Sequence, residues 1–184
     1  TLDKDALFIA DVDMTGEAWT PIEDYTKTVH GNGYSIKGLT APLFGRVFCS
    51  IKGLHLRDVN IEETAGSAVG ALARQLSGSG LDAIGEYTSP VVEHCSVSGK
   101  VVLNNQTAFV DTSLNDYGEC VAAGLVGRVY GVNISDCVNH ATVEVKQCFA
   151  TGHTTSLYPS IGGIVGYVSY ATQSQTGTEV KVYS

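Results

Sequence analysis

The side chains able to do chemistry are few and scattered. Five cysteines stand at Cys49, Cys95, Cys120, Cys137 and Cys148, and five histidines at His30, His55, His94, His140 and His153. No Cys-x-x-Cys pair and no His-Glu-x-x-His run occurs, so neither a zinc knuckle, a thioredoxin-type motif nor a zinc-protease helix is encoded. An odd number of cysteines leaves at least one thiol unpaired in a monomer. Most of the five read as small core residues, a role that suits cysteine. Cys95 and Cys137 can meet as a disulfide if their strands are adjacent, though reduced core thiols are the reading we favour. His55 and His94 are expected to neighbour each other on the outside, as exposed polar residues rather than metal ligands.

The carboxylates give a similarly thin signal. Asp11 and Asp13 flank Val12, with Asp3, Asp5 and Glu17 near in sequence. Hard cations take several carboxylates, but the chain lacks an Asp-x-Asp-x-Asp-Gly loop. Alternation about Val12 simply places both aspartates on the solvent face of a strand. Asp58, Glu93 and Asp136 fall near equivalent repeat positions and are expected to lie one above another. Sugar hydrolysis would need clustered carboxylates of that kind, or a basic residue on one face. Neither a Gly-x-Ser-x-Gly element nor a phosphate loop accompanies them. We therefore expect no catalytic residues, no metal and no cofactor. Two formal glycosylation sequons, Asn105-Gln106-Thr107 and Asn133-Ile134-Ser135, read as accidental.

The elements that must position these residues announce themselves as a repeat. One short phrase recurs as Leu43-Phe44-Gly45-Arg46-Val47, Ala68-Val69-Gly70-Ala71-Leu72, Leu125-Val126-Gly127-Arg128-Val129 and Ile164-Val165-Gly166-Tyr167-Val168. A second phrase follows the first three copies, beginning at Ile51, Val92 and Ile134. Within it, Leu54, Cys95 and Cys137 share one slot. Alternation in Leu54-His55-Leu56 and Val143-Glu144-Val145 is that of a half-buried strand. Residues 68–76 also carry helical spacing, but alignment with the other copies favours strand.

The repeat glycines are unevenly spaced, so extra residues must leave the framework as loops. The insertions are Ser77 to Pro90, Asn104 to Glu119 and Gln147 to Ser160, all rich in loop-forming residues. Stacked units tolerate such insertions because each contacts only its neighbours. The expected fold is therefore all-β, a parallel β-helix or β-solenoid with long loop insertions. Residues 1–184 form a single domain, with a lead-in segment over 1–40 and repeats over 41–184. Gly31-Asn32-Gly33 supplies a tight corner in the lead-in. Leu54, Cys95 and Cys137 would form one inward column, and Val47, Leu72, Val129 and Val168 another.

Composition agrees with an ordered protein. Apolar residues make up 43% of the chain and charged ones 16%, too rich and too neutral for disorder. A formal net charge of −8 argues against gripping nucleic acid or an anionic membrane. No apolar stretch is long enough to span a bilayer. The chain opens on Thr1 and its last residues, Glu179-Val180-Lys181-Val182-Tyr183, still alternate like a strand. It reads as an excised piece of a longer protein.

The phrases Leu-Phe-Gly, Leu-Val-Gly and Ile-Val-Gly, followed by strands carrying His94-Cys95 or Asp136-Cys137, resemble the GLUG-type repeat. Asp11-Val12-Asp13-Met14, Trp19-x-Pro21-Ile22 and residues 31–39 resemble the segment that commonly precedes such repeats. The resemblance covers nearly the whole chain. It implies a right-handed coil on an exported bacterial surface protein, as in adhesins of gut anaerobes and the non-catalytic parts of immunoglobulin A proteases. Secretion or attachment at the cell surface follows from it, as does a role as adhesin or stalk toward host or microbial glycans or surface proteins. On that reading Tyr87, Phe109, Tyr117 and Tyr158, in or beside the insertions, are the candidate ligand-binding residues. A carbohydrate-active β-helix enzyme is the alternative.

Overall fold

The computed structural model describes residues 4–78, 89–105, 120–148 and 159–169. These residues contain strands and no helix. The chain makes β1 (Ala6–Leu7), β2 (Val12–Asp13), β3 (Val29–His30), β4 (Ser35–Lys37), β5 (Phe44–Val47), β6 (Ile51–Lys52), β7 (His55–Glu63), β8 (Ala68–Val69) and β9 (Ala73–Ser77). It continues through β10 (Val91–Glu93), β11 (Ser96–Asn104), β12 (Val121–Ala123), β13 (Val126–Tyr130), β14 (Asn133–Ser135), β15 (Val138–Gln147), β16 (Ser160–Gly162) and β17 (Val165–Ser169). The segment with helical spacing is thus split between two strands, β8 and β9.

Four sheets result, ordered β1-β3-β6-β10-β14, β15-β11-β7-β4-β2, β16-β12-β8 and β17-β13-β9-β5. Every strand pairing is parallel. From β6 onward, each circuit of the chain passes through the four sheets in the same order, the first, second, third and fourth as just given. Parallel neighbours need a long crossover connection, commonly a helix. Here the other three sheets supply it, which is why the sequence needs no amphipathic helix.

Apolar residues repeat in register and bury one another. Val29, Ile51, Val92 and Ile134 form one column, all nearly inaccessible. Leu54 and Cys95 are buried in the column expected for them, with Cys137 half-buried beside Cys95. The other expected column is corrected at one member. Val47 pairs with Leu76, which pairs with Val129, which pairs with Val168. Leu76, not Leu72, fills the slot. The copy in this circuit is therefore Leu72-Ala73-Arg74-Gln75-Leu76, and Arg74 stands where the others have Gly45, Gly127 and Gly166. Gly70 misled the alignment because it is a glycine for another reason. A Cβ there would lie 2.5 Å from the Gly127 backbone nitrogen.

Left-handed residues turn the corner between the first two sheets. Gly53, His94 and Asp136 occupy equivalent places, with φ of 63°, 54° and 52°. In the lead-in, Asn32 and Gly33 take positive φ as expected. Gly31 instead lies against the Gly53 and Leu54 backbone with no room for a Cβ.

The first circuit has very short strands, and its carboxylates complete the pairing. Asp5 accepts from the Thr28 amide (2.9 Å), Asp11 from the Ser35 amide (2.7 Å) and Glu23 from the Arg46 amide (2.9 Å). Side-chain oxygens thus bind amides of the next circuit where ladder carbonyls would otherwise do so. An apolar cavity of about 280 Å3, lined by Phe8, Trp19, Tyr25 and Phe44 among others, lies at this end.

Candidate functional site

The corner between the second and third sheets carries the largest changes from one circuit to the next. Glu63, Leu103 and Val145 pair side by side at or near the ends of their strands, and Ala68, Val121 and Ser160 begin the next ones side by side. In the first of these circuits only residues 64–67 intervene. There Glu63 Oε1 accepts from the Ala65 and Gly66 amides, at 3.2 Å each. In the following two circuits the chain departs into the insertions, whose residues 106–119 and 149–158 lie outside the described residues. The Asn105 amide donates to the Gln147 carbonyl (2.9 Å) and the Ser160 amide to the Cys120 carbonyl (2.8 Å), so the two roots are bound together.

A disulfide joins the same roots. Cys120 and Cys148 are bonded, with Cα atoms 6.1 Å apart. Cys120 closes one insertion and Cys148 opens the next. From the sequence a bond is considered only between Cys95 and Cys137, where reduced thiols are favoured, as found, and Cys120 and Cys148 are not brought together. The missed signal was position, since each bonded cysteine sits at the boundary of a loop. The third insertion, whose residues 79–88 lie outside the described residues, leaves from another corner, between β9 and β10.

Beside the short corner lies a polar groove of about 300 Å3. Glu23, Arg46, Ser67, Arg74, Gln75 and Arg128 line it. Arg46, Gln75, Arg128 and Tyr167 pair in register on consecutive strands β5, β9, β13 and β17. Arg74 Nε donates to Glu63 Oε2 at 2.7 Å and its Nη1 to Glu23 Oε1 at 3.2 Å. Arg46 Nε donates to Asp24 Oδ1 at 2.6 Å, and the guanidinium lies 5.5 Å from the Phe48 ring centroid. The bond from Arg46 holds the Asp24 carboxyl below its ordinary range. This groove was not foreseen from the sequence. Its column was hidden by the misplaced copy, which put Ala71 where Gln75 stands.

The thiols Cys95 and Cys137 are unbonded and lie one above the other. Each makes the same contacts one circuit apart. Cys95 Sγ reaches the Ile51 and Glu93 carbonyls, and Cys137 Sγ the Val92 and Ser135 carbonyls. Hydrogen bonding from the Cys95 thiol holds Cys137 below the ordinary thiol range, and the same contact pushes Cys95 up. Burial pushes Cys49 up to about 12.

Other expectations are redistributed. Asp58, Glu93 and Asp136 do not stack. Glu93 pairs with Ser135 and salt-bridges Lys52 at 2.8 Å, while Asp136 stands 3.8 Å from His94. Asp58 sits at a register shift between β7 and β11 that removes it from any column. His55 binds Ser96 Oγ at 2.8 Å, whereas His94 turns toward Asp136. Asp11 and Asp13 serve the backbone, Asp13 accepting from the Thr15 amide at 2.9 Å. No group of three or more potential metal ligands occurs among the described residues. Asn105 is buried. Tyr87, Phe109, Tyr117 and Tyr158 lie outside the described residues. Comparison of the chain with protein-family models, with curated proteins and with solved structures finds no match.

Proposed function

We propose that this chain is a right-handed parallel β-helix from an exported bacterial surface protein, and that it acts as a non-catalytic binding module presenting loops. The observation that carries this reading is the Cys120–Cys148 disulfide across the roots of two insertions in adjacent circuits. A crosslink there restrains the base of a loop pair, and loops on a rigid scaffold are the usual carriers of binding. Disulfides also form and persist mainly in exported, oxidising compartments. The fixed order of four parallel sheets supports the coil, and a crystal structure with left-handed winding would overturn that part. The resemblance to GLUG-type adhesins points to host or microbial glycans or surface proteins as partners.

The groove gives the enzyme alternative its footing, because it gathers charged side chains on one face. Its lining favours binding over hydrolysis. Glu23 is the carboxylate there, and both its oxygens are engaged, by Arg74 and by the Arg46 amide. Paired-carboxylate hydrolysis needs a second such group across the bond. The test is a glycan array probed with the folded domain, scored for binding and for release of sugar products. Binding without product release is the expected result, and turnover of any arrayed glycan would replace the binding role with the enzymatic one.

A further inference from the structure

Three arginines, Arg46, Arg74 and Arg128, line one groove, and Arg57 is the only other arginine in the chain. With a net charge of −8, no general excess of basic residues puts them together. The column Arg46, Gln75, Arg128 and Tyr167 advances by one strand spacing, about 4.8 Å, per residue. Along the stacking direction it sets the exposed Arg46 guanidinium beside the Gln75 amide, followed by Arg128, which is buried, and by Tyr167, which lies outside the groove lining. Asp24 anchors Arg46 through Nε alone, which leaves both Nη groups for a ligand, and the side chain is half exposed. Gln75 Nε2 donates to Ser77 Oγ at 3.0 Å, so its amide oxygen can accept from a hydroxyl. Arg128 is buried in the groove wall. Glu23, Asp24 and Glu63 are the opposing charges: Arg74 engages Glu23 and Glu63, the Arg46 amide Glu23, and Arg46 Nε Asp24.

A guanidinium fork fits a carboxylate or sulfate better than any other side chain does. The Gln75 amide oxygen beside it can accept from a hydroxyl, which a sugar unit carries and an acidic side chain does not. We infer that this groove is a subsite for an acidic saccharide, which sets a carboxylate or sulfate against Arg46 and a hydroxyl-bearing neighbouring unit against Gln75. Arg46 is the principal contact. The inference deepens the binding-module reading and rests on it, but it uses none of the insertion residues.

The test is calorimetric titration of the intact chain with a hyaluronan oligosaccharide, its carboxyl-reduced neutral form, a chondroitin sulfate oligosaccharide, poly-glutamate and sodium sulfate. At least one acidic saccharide is expected to bind, hyaluronan if the carboxylate is read and chondroitin sulfate alone if the sulfate is. Arg46→Gln should weaken it at least tenfold with an unchanged melting temperature, and Arg46→Lys should fall between. The reduced form and free sulfate should bind at least tenfold more weakly. Three results overturn the inference: neither acidic saccharide binds, Arg46→Gln leaves binding intact, or poly-glutamate binds as tightly. If the array in the preceding section shows glycans bound in a way indifferent to Arg46→Gln, the groove fails while the binding module stands. A blank array fails both.

Discussion

Arg74 Nε stands 2.7 Å from Glu63 Oε2, and each residue departs from the pattern of its own column. Glu63 occupies the place of Leu103 and Val145. Arg74 occupies the place of Gly45, Gly127 and Gly166. Two local violations in one circuit compensate each other, and Glu63 also binds the Ala65 and Gly66 amides. Glu63 is almost fully buried.

Removing Arg74 strands Glu63, so Arg74→Ala should cost roughly 3 kcal/mol by urea unfolding, as for a buried charge left without its partner. Glu63→Ala should cost less, because Arg74 is partly exposed and keeps Glu23. Restoring the repeat on both sides, with Glu63→Leu and Arg74→Gly together, should recover most of that loss, since apolar replacement of a buried pair is often neutral or better. A double variant as unstable as the sum of the singles would refute the compensation.

The disulfide makes a separate prediction. Denatured, unreduced protein should show three reactive thiols, those of Cys49, Cys95 and Cys137, and two more after reduction. Cys120→Ala with Cys148→Ala should lower stability by about 3 kcal/mol, the scale for closing a loop of this length. Five reactive thiols before reduction would exclude the bond.

Native thiols should react in order. Cys137 carries the lowered proton affinity and is only half-buried, so iodoacetamide at pH 8 should modify it first. Cys49, pushed up to about 12 and buried, should stay unmodified until unfolding. Peptide mapping decides, and early labelling of Cys49 would contradict the burial.

Acid should weaken the fold through carboxylates of the lead-in and of the later strands alike. The Ser35 amide and hydroxyl hold Asp11 below its ordinary value of 3.8, and the Thr15 hydroxyl and amide do the same for Asp13. Lys52 lowers Glu93 from 4.5, and Asn104 lowers Glu62. A carboxylate with a depressed folded pKa stabilises fully above its unfolded value and loses that contribution as pH falls through the folded one. Unfolding midpoints should therefore be level from pH 7 to about 5 in this respect and decline below pH 4. Asp11→Asn should flatten part of that decline, and an unchanged profile would count against the Ser35 bonds.

Two glycines separate conformation from space. Gly53 has φ of 63° and no atom nearer than 3.4 Å to an added Cβ, so Gly53→Ala should cost about 1 kcal/mol from the left-handed backbone alone. Gly70→Ala meets backbone at 2.5 Å and should cost clearly more. Equal losses would show that packing at Gly70 yields.

Strand content and the parallel stacking were legible wherever apolar residues alternate, because the register of Ile51, Val92 and Ile134 follows from burial alone. The error at Leu72 arose where two phrases four residues apart both place an apolar residue in the right slot. Glycine spacing chose the wrong one, since glycine serves close backbone approach at Gly70 as well as at Gly127. The groove went unseen for that reason, because Arg74 and Gln75 have no meaning until Ala73 is set beside Phe44 and Val126. Pairing of Cys120 with Cys148 was equally hidden, because it depends on which circuits neighbour each other after the insertions have left.

The most direct test of the binding-module account is the glycan array run with two proteins side by side, the intact chain and the Cys120→Ala, Cys148→Ala variant, both checked for folding by circular dichroism. The account predicts binding by the intact chain and, for glycans whose binding is indifferent to Arg46→Gln, a signal at least several-fold weaker when the roots of the two insertions are no longer tied. A folded intact chain that binds nothing on the array, or a variant that binds those glycans as well as the intact chain does, would contradict it.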